Sequence, residues 1–296
     1  MFKIFFIVAF GYQLRRRGIL KNSDQKVIST ILLQVGVPFT IIMSSQQTFS
    51  KEGAVAIIAT TIITFLFFWI SVPILIALGK KWKLPPERAR VFTCSMLFYN
   101  ATFIGFPLIS ELFGREGLLC AVAVSSVQGL LFFSWGVAHL RNEGSANLKA
   151  IFSNQTAILS LIALVMYFAQ ITIPPLLSEV FSSIAAITTP LSMVIIGCSL
   201  AESGIIQIIS NRTLYLATAI RTLVMPGVMF AVLSLLQVPT LVLQISTVAT
   251  ALPAGAMVVI VATEANAEPT YAANIMVQST LAMMFTIPLW AFLVGG

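Results

Sequence analysis

Apolar residues fill this chain in long blocks, and polar residues are confined to short joints between the blocks. A membrane-crossing helix needs about 20 mostly apolar residues. Measured against that length, the pattern predicts about ten segments, at roughly 2–14, 26–46, 53–79, 88–110, 117–139, 150–170, 176–200, 213–236, 240–262 and 269–294. The blocks do not alternate with period two, as spanning strands would, so the expected fold is an all-α membrane protein. The joints leave no room for an inserted soluble domain. Segment 1 is short. Thirteen residues rise only about 20 Å against a hydrocarbon core of about 30 Å, so either the helix is anchored by snorkelling or, the preferred expectation, the natural chain begins upstream of Met1.

Composition narrows the class. Of 296 residues, 58% are hydrophobic and 9% charged, against about 25% charged in an ordinary soluble domain. Mean hydropathy is +0.98. A soluble fold could not cover its core with so few charges, which excludes soluble enzymes, nucleic-acid binders, coiled coils and disordered chains. Cys94, Cys120 and Cys198 lie in apolar stretches at irregular spacing. They form no disulfide framework or metal pattern, and are expected to be small buried hydrophobes. Met1–Leu14 is not expected to be a cleaved signal, because Arg15, Arg16 and Arg17 follow its apolar run rather than precede it.

The net charge of +7 takes its meaning from where it sits. Thirteen of the 17 Lys and Arg residues fall in joints after odd-numbered segments, from Arg15 through Lys80 and Arg141 to Lys149 and Arg212. Lys3, Lys51 and Arg115 belong to the other side, and Arg221 lies inside segment 8. Cytoplasmic loops collect Lys and Arg. The expected placement is multi-pass in the plasma membrane, a bacterial inner membrane, with both termini outside. Trp82 and Trp290 suit interfacial positions.

The two halves echo each other. Pro38-Phe39-Thr40 answers Pro190-Leu191-Ser192, Pro73 answers Pro226, and Gly105 with Pro107 answers Gly255 with Pro253, each about 150 residues apart. Five segments per half would insert the second half inverted. The expected organisation is a first five-helix repeat over 1–140, a cytoplasmic linker over 141–149 and a second, inverted repeat over 150–296. Inverted repeats with broken helices are a transporter architecture. Segment 4 reads Tyr99-Asn100-Ala101-Thr102-Phe103-Ile104-Gly105-Phe106-Pro107-Leu108, and Pro107 denies a partner to the carbonyl of Phe103. Segment 9 carries Pro253 and Gly255. Open backbone at membrane depth is tolerated only where it lines a cavity or is buried in protein, so the two breaks predict a midplane site.

At these residues the chain resembles the auxin efflux carrier family. Asn100 through Leu108 is similar to that family's crossover motif, Asn-x-x-x-x-Gly-x-Pro-Leu. Leu252-Pro253-Ala254-Gly255, followed by Ala262-Thr263-Glu264 and Pro269, is similar to the second crossover. Gly11-Tyr12, Arg15-Arg16-Arg17-Gly18-Ile19-Leu20 and Val37-Pro38 also fit. The family includes plant auxin exporters and bacterial permeases linked to malate or malonate. The resemblance, to the bacterial permease branch, implies a five-plus-five inverted fold like that of bile acid sodium symporters, with helices 4 and 9 crossing at the substrate site. Plant carriers have Gln where this chain has Ala254, and many have a long cytoplasmic loop that is absent here, which argues against auxin itself.

Candidate chemistry follows. Arg221 stands about 13 Å along the helix from Arg212, near the midplane, where Arg is costly and usually functional. It is either an anion-binding or gating charge, or a cap on broken-helix carbonyls. No acidic residue is clearly at midplane; Glu264 comes nearest, at the cytoplasmic end of segment 9. His139 sits at a helix end. Ser125, Ser126, Gln128, Asn274 and Gln278 either line a polar cavity or bond between helices. The expected function is a secondary carrier of a small organic anion, a mono- or dicarboxylate, by alternating access. Asn100, Gly105, Pro107, Pro253, Ala254, Gly255 and Arg221 form the expected substrate site. The alternatives are a sodium-coupled symporter of the same fold, its ion held by carbonyls, Asn and hydroxyls, and a non-transporting membrane sensor. No catalytic arrangement stands at membrane depth, so no enzyme is expected. Nor is a cofactor or bound metal; a coupling ion, sodium or proton, stays open. The expected partners are the anion and the lipid bilayer, with no nucleic acid; a homodimer stays open.

Overall fold

The computed structural model describes residues 2–143, 155–202 and 212–295. Residues 144–149 of the expected linker, with Lys149, lie outside the described residues. The described elements are helices. They are α1 (Phe2–Arg16), α2 (Asn22–Ile31), α3 (Val37–Ser44), α4 (Lys51–Lys81), α5 (Pro86–Leu97), α6 (Phe106–Leu131), α7 (Val137–Arg141), α8 (Gln155–Phe168), α9 (Pro175–Ala185), α10 (Thr188–Glu202), α11 (Arg212–Ala219), α12 (Met225–Leu235), α13 (Thr240–Thr250), α14 (Ala256–Glu264) and α15 (Pro269–Gly295). Six helical runs among them are long and apolar enough to cross a membrane: Asn22–Ser44, Lys51–Lys81, Ala101–Arg141, Pro175–Ala201, Leu214–Leu235 and Pro269–Gly295. The third run is interrupted at Gly114, whose φ of 65° and ψ of −155° are open to glycine and not to other residues.

Apolar side chains cover the outside of the bundle as well as filling its core. On α4 the exposed face carries Val55, Ile58, Ile62, Leu66, Trp69 and Ile74, while Thr60, Thr64 and Ser71 turn inward. Hydrocarbon around the helices makes apolar residues the cheap outer surface, and leaves hydroxyls to bond within the bundle. Thr60 donates to the carbonyl of Ala56 at 2.7 Å. The three cysteines are buried thiols. α1 lies hard against α10, where a Cβ at Gly197 would stand 2.1 Å from the carbonyl oxygen of Val8.

Among the described residues four wide π turns interrupt the helices, at Leu32–Gly36, Ala101–Gly105, Phe132–Gly136 and Ile220–Val224. Three of them end two residues before a proline, namely Pro38, Pro107 and Pro226. Proline has no N–H and its ring collides with the carbonyl four residues back. A wider turn moves that carbonyl aside: the amide of Phe106 donates to Ala101, five residues back. The carbonyl four residues before Pro226, on Thr222, accepts the indole N–H of Trp290 at 2.9 Å. Trp290 is 7% exposed, its N–H drawn into the bundle by that freed carbonyl.

Candidate functional site

Two helix interruptions meet in the interior. The first spans Phe98–Asn100, between α5 and the π turn at Ala101–Gly105. It lies upstream of Pro107, the residue that sequence reasoning held responsible. The wide turn absorbs the proline, and the open backbone appears where the chain is extended at Phe98, with φ −102° and ψ 123°. The second interruption covers residues 251–255, between α13 and α14, and contains Pro253 and Gly255.

The two open stretches satisfy each other. Tyr99 and Ala254 form an isolated antiparallel bridge. The amide of Asn100 donates to the carbonyl of Pro253 and the amide of Gly255 to that of Phe98, both at 2.9 Å. Buried backbone without such partners would cost several kcal/mol per group in hydrocarbon. The remaining donor at Ala254 reaches Ser279 Oγ on α15 at 3.1 Å. Close approach demands small residues here. A Cβ at Gly255 would stand 3.2 Å from the carbonyl oxygen of Tyr99, and one at Gly105 would stand 2.8 Å from Leu252 Cδ1.

Asn100 caps the restarting helix: its Oδ1 accepts the amide of Phe103 at 3.2 Å, the arrangement that makes Asn a favoured helix start. With Oδ1 so used, Nδ2 is the side-chain donor left to Asn100, which is half-buried. Pro107 lies about two turns beyond Asn100, at the edge of a second feature, a cavity of about 260 Å³ between α3, α6, α9 and α10. Thr40, Ser44, Ser110, Arg115 and Thr188 give it polar walls, and Thr40 and Thr188 share a hydroxyl–hydroxyl hydrogen bond of 2.7 Å.

Arg221 sits in the π turn before Pro226 and is 1% exposed. Its Nε donates to the carbonyl of Leu252 at 2.9 Å and its Nη1 to that of Met96 at 2.7 Å, so one guanidinium holds a carbonyl from each interruption. The ring of Tyr99 lies 5.2 Å from its Cζ, within cation–π range. Nη2 has no partner among the described residues, and neither does Gln128 Oε1. Both residues line a cavity of about 10 Å³ with Thr64 and Thr250. No described carboxylate pairs with Arg221.

The structure thus brings Asn100, Pro253, Ala254, Gly255 and Arg221 to one crossing, with Gly105 and Pro107 along the second half of the first broken helix. The other polar candidates divide. Ser125 and Ser126 bond back to the carbonyl of Val122 in their own helix. Gln278 accepts from Thr218 at 2.7 Å, and His139 stacks on Trp135 at 4.4 Å. Glu264 pairs with Arg141 at 3.0 Å. Sequence reasoning missed Ser279, Tyr99 as a partner of Arg221, and the Arg115 cavity. A serine in an apolar helix and an arginine in a joint carry no local signal of such roles. Among the described residues no group of His, Cys, Asp or Glu could hold a metal ion.

A family described as "Membrane transport protein" matches residues 1–160 and 143–291. The chain is 23% identical over 298 residues to an uncharacterized transporter of Methanocaldococcus jannaschii, covering 98% of this chain and 96% of that one. It is 21% identical over 290 residues to an uncharacterized transporter of Methanothermobacter thermautotrophicus, covering 96% and 94%.

Proposed function

The chain belongs to the membrane transport protein family, the auxin efflux carriers that its motifs resemble, and on that premise we propose that it is a secondary carrier of a small organic anion, a mono- or dicarboxylate. The observation that carries the reading is the antiparallel crossing of two broken helices beside a buried Arg221 with no carboxylate partner among the described residues. In such a site half-helix N-termini point positive dipole ends and open amides at an anion. The site residues are Asn100, Gly105, Pro107, Pro253, Ala254, Gly255 and Arg221. Asn100 Nδ2 and the start of the second half-helix contact the carboxylate, and Arg221 supplies positive potential behind them. The 260 Å³ cavity with Arg115 is the approach to this site from outside.

Transport works by alternating access, one group of helices rocking against another. Ten crossings fit the described helices if α5 with the first part of α6, and α13 with α14, each count as one broken crossing, and if Gly114 divides the rest of α6 from it. The antiparallel sense of the Tyr99–Ala254 bridge is what a five-plus-five inverted repeat requires, with repeats over 1–140 and 150–296 and a linker over 141–149. Orientation follows the Lys and Arg bias, with both termini outside. Ion pairs agree with that assignment. Arg88 with Glu268 and Arg141 with Glu264 join loops assigned to the cytoplasm, and Lys3 with Glu111 joins two positions assigned outside.

The test is a thermal-shift screen of purified protein against mono- and dicarboxylates, followed by uptake of any stabilising compound into proteoliposomes. A ligand of the folded state must raise the apparent stability. The reading predicts stabilisation by at least one carboxylate and its uptake. Stabilisation without uptake would make the protein a sensor, and no stabilisation by any carboxylate would remove the anion from the proposal.

A further inference from the structure

The crossing creates an electrostatic demand of its own. α5 ends at Leu97 and α13 at Thr250, so both broken helices present C-terminal carbonyls and the negative ends of their dipoles to the same interior point. In a continuous helix the carbonyl of Met96 would accept the amide of Asn100, but that amide is spent on Pro253. Leu252 likewise lies beyond the end of α13, and Gly255 is extended at φ −74° and ψ 138°, which breaks the helix that would bring the Ala256 amide to the Leu252 carbonyl. Two carbonyls are therefore left in a dry interior, where a cation is the natural partner. Carriers with discontinuous helices commonly hold a coupling ion on such carbonyls and half-helix C-termini, and a hard cation is satisfied by oxygen ligands alone.

Both carbonyls are already taken. Nε of Arg221 reaches Leu252 O and Nη1 reaches Met96 O, with the Tyr99 ring beneath the guanidinium. We propose that Arg221 is a tethered cation, standing where a carrier of this layout would bind a free monovalent ion, and that the crossover therefore works without sodium. This rests on the carrier reading above and deepens it. The guanidinium cross-links the two half-helices through their C-termini, so they move as one unit. Its charge has no carboxylate partner among the described residues, and the transported anion is the group that neutralises it. The third donor, Nη2, faces a cavity of about 10 Å³ with Gln128 Oε1, too small for an organic anion, so the guanidinium acts on the anion through its charge. Sodium-coupled symport, open from the sequence, is disfavoured because its carbonyl ligands are occupied by a side chain.

The experiment needs no transport and no identified substrate, so its failure is separate from failure of the carrier reading. Thermal unfolding of the purified protein is measured in sodium, potassium and choline chloride at equal ionic strength. The wild-type midpoint is expected to be the same in all three; a saturable rise with sodium would show a free ion site and overturn the proposal. Arg221→Ala leaves two buried acceptors unmet and is expected to lower the midpoint by on the order of 5–10 °C. Millimolar guanidinium or sodium should restore part of that loss. Urea, which has the same shape without the charge, should not. Equal rescue by urea, or no rescue by either cation, would mean that positive charge is not what the site requires. If Arg221→Ala does not accumulate, Arg221→Lys keeps a tethered charge and should fold and ignore sodium; a saturable rise of the Arg221→Lys midpoint with sodium would count against the assignment. An Arg221→Met variant as stable as wild type would overturn it.

Discussion

Replacing Asn100 by Asp separates its two structural duties. The Oδ1 of Asn100 caps the restarting helix through the amide of Phe103, and Asp is as good a cap as Asn, aided by the positive end of the helix dipole. Folding should therefore survive. What changes is charge at the crossing: the donor Nδ2 is exchanged for a carboxylate oxygen. Two like unit charges about 5 Å apart in an effective dielectric of ~20 repel by roughly 3 kcal/mol, or about two orders of magnitude in affinity. Asn100→Ala differs in kind. It loses the cap, about 1 kcal/mol of stability, and a hydrogen bond to a charged ligand, roughly 1.5–3 kcal/mol, which weakens binding about ten- to hundredfold. The assay pairs ligand affinity with thermal unfolding on the same reconstituted samples. The expected pattern is that Asp keeps stability and loses binding, while Ala loses some of each. If Asn100→Asp binds a carboxylate as tightly as wild type does, the anion is not at the crossing and the site assignment is wrong.

Three further outcomes follow from the same geometry. Gly255→Val places a branched side chain where even a Cβ stands 3.2 Å from Tyr99 O; uptake should be lost while Gly255→Ala keeps a measurable rate, and an active Val variant would deny the close approach. Trp290→Phe removes the donor to Thr222 O and leaves a buried acceptor, costing about 1–3 kcal/mol, read as a lower unfolding midpoint with little change in ligand affinity. With the native cysteines buried, Lys51→Cys should react with an impermeant thiol reagent applied outside cells and Lys83→Cys should not; the reverse labelling would invert the orientation.

Membrane character was legible from the sequence, because the length of each apolar block and the scarcity of charge are properties of single segments. The positions of the two interruptions were nearly legible for the same reason: proline and glycine act on their own backbone. Only the first was misplaced, since a π turn at Ala101–Gly105 absorbs Pro107 and moves the open backbone up to Phe98–Asn100. What lay beyond the sequence was which group meets which. Arg221 could be read as an anion ligand or as a cap on broken helices, and only the fold brings Met96 O and Leu252 O, 125 and 31 residues away, within reach of one guanidinium. Ser279, Trp290 and Arg115 carry no local mark of their roles. Local chemistry determines where a helix starts and stops, but the partner of a freed carbonyl is chosen by tertiary packing, which brings residues together without regard to their separation in the chain.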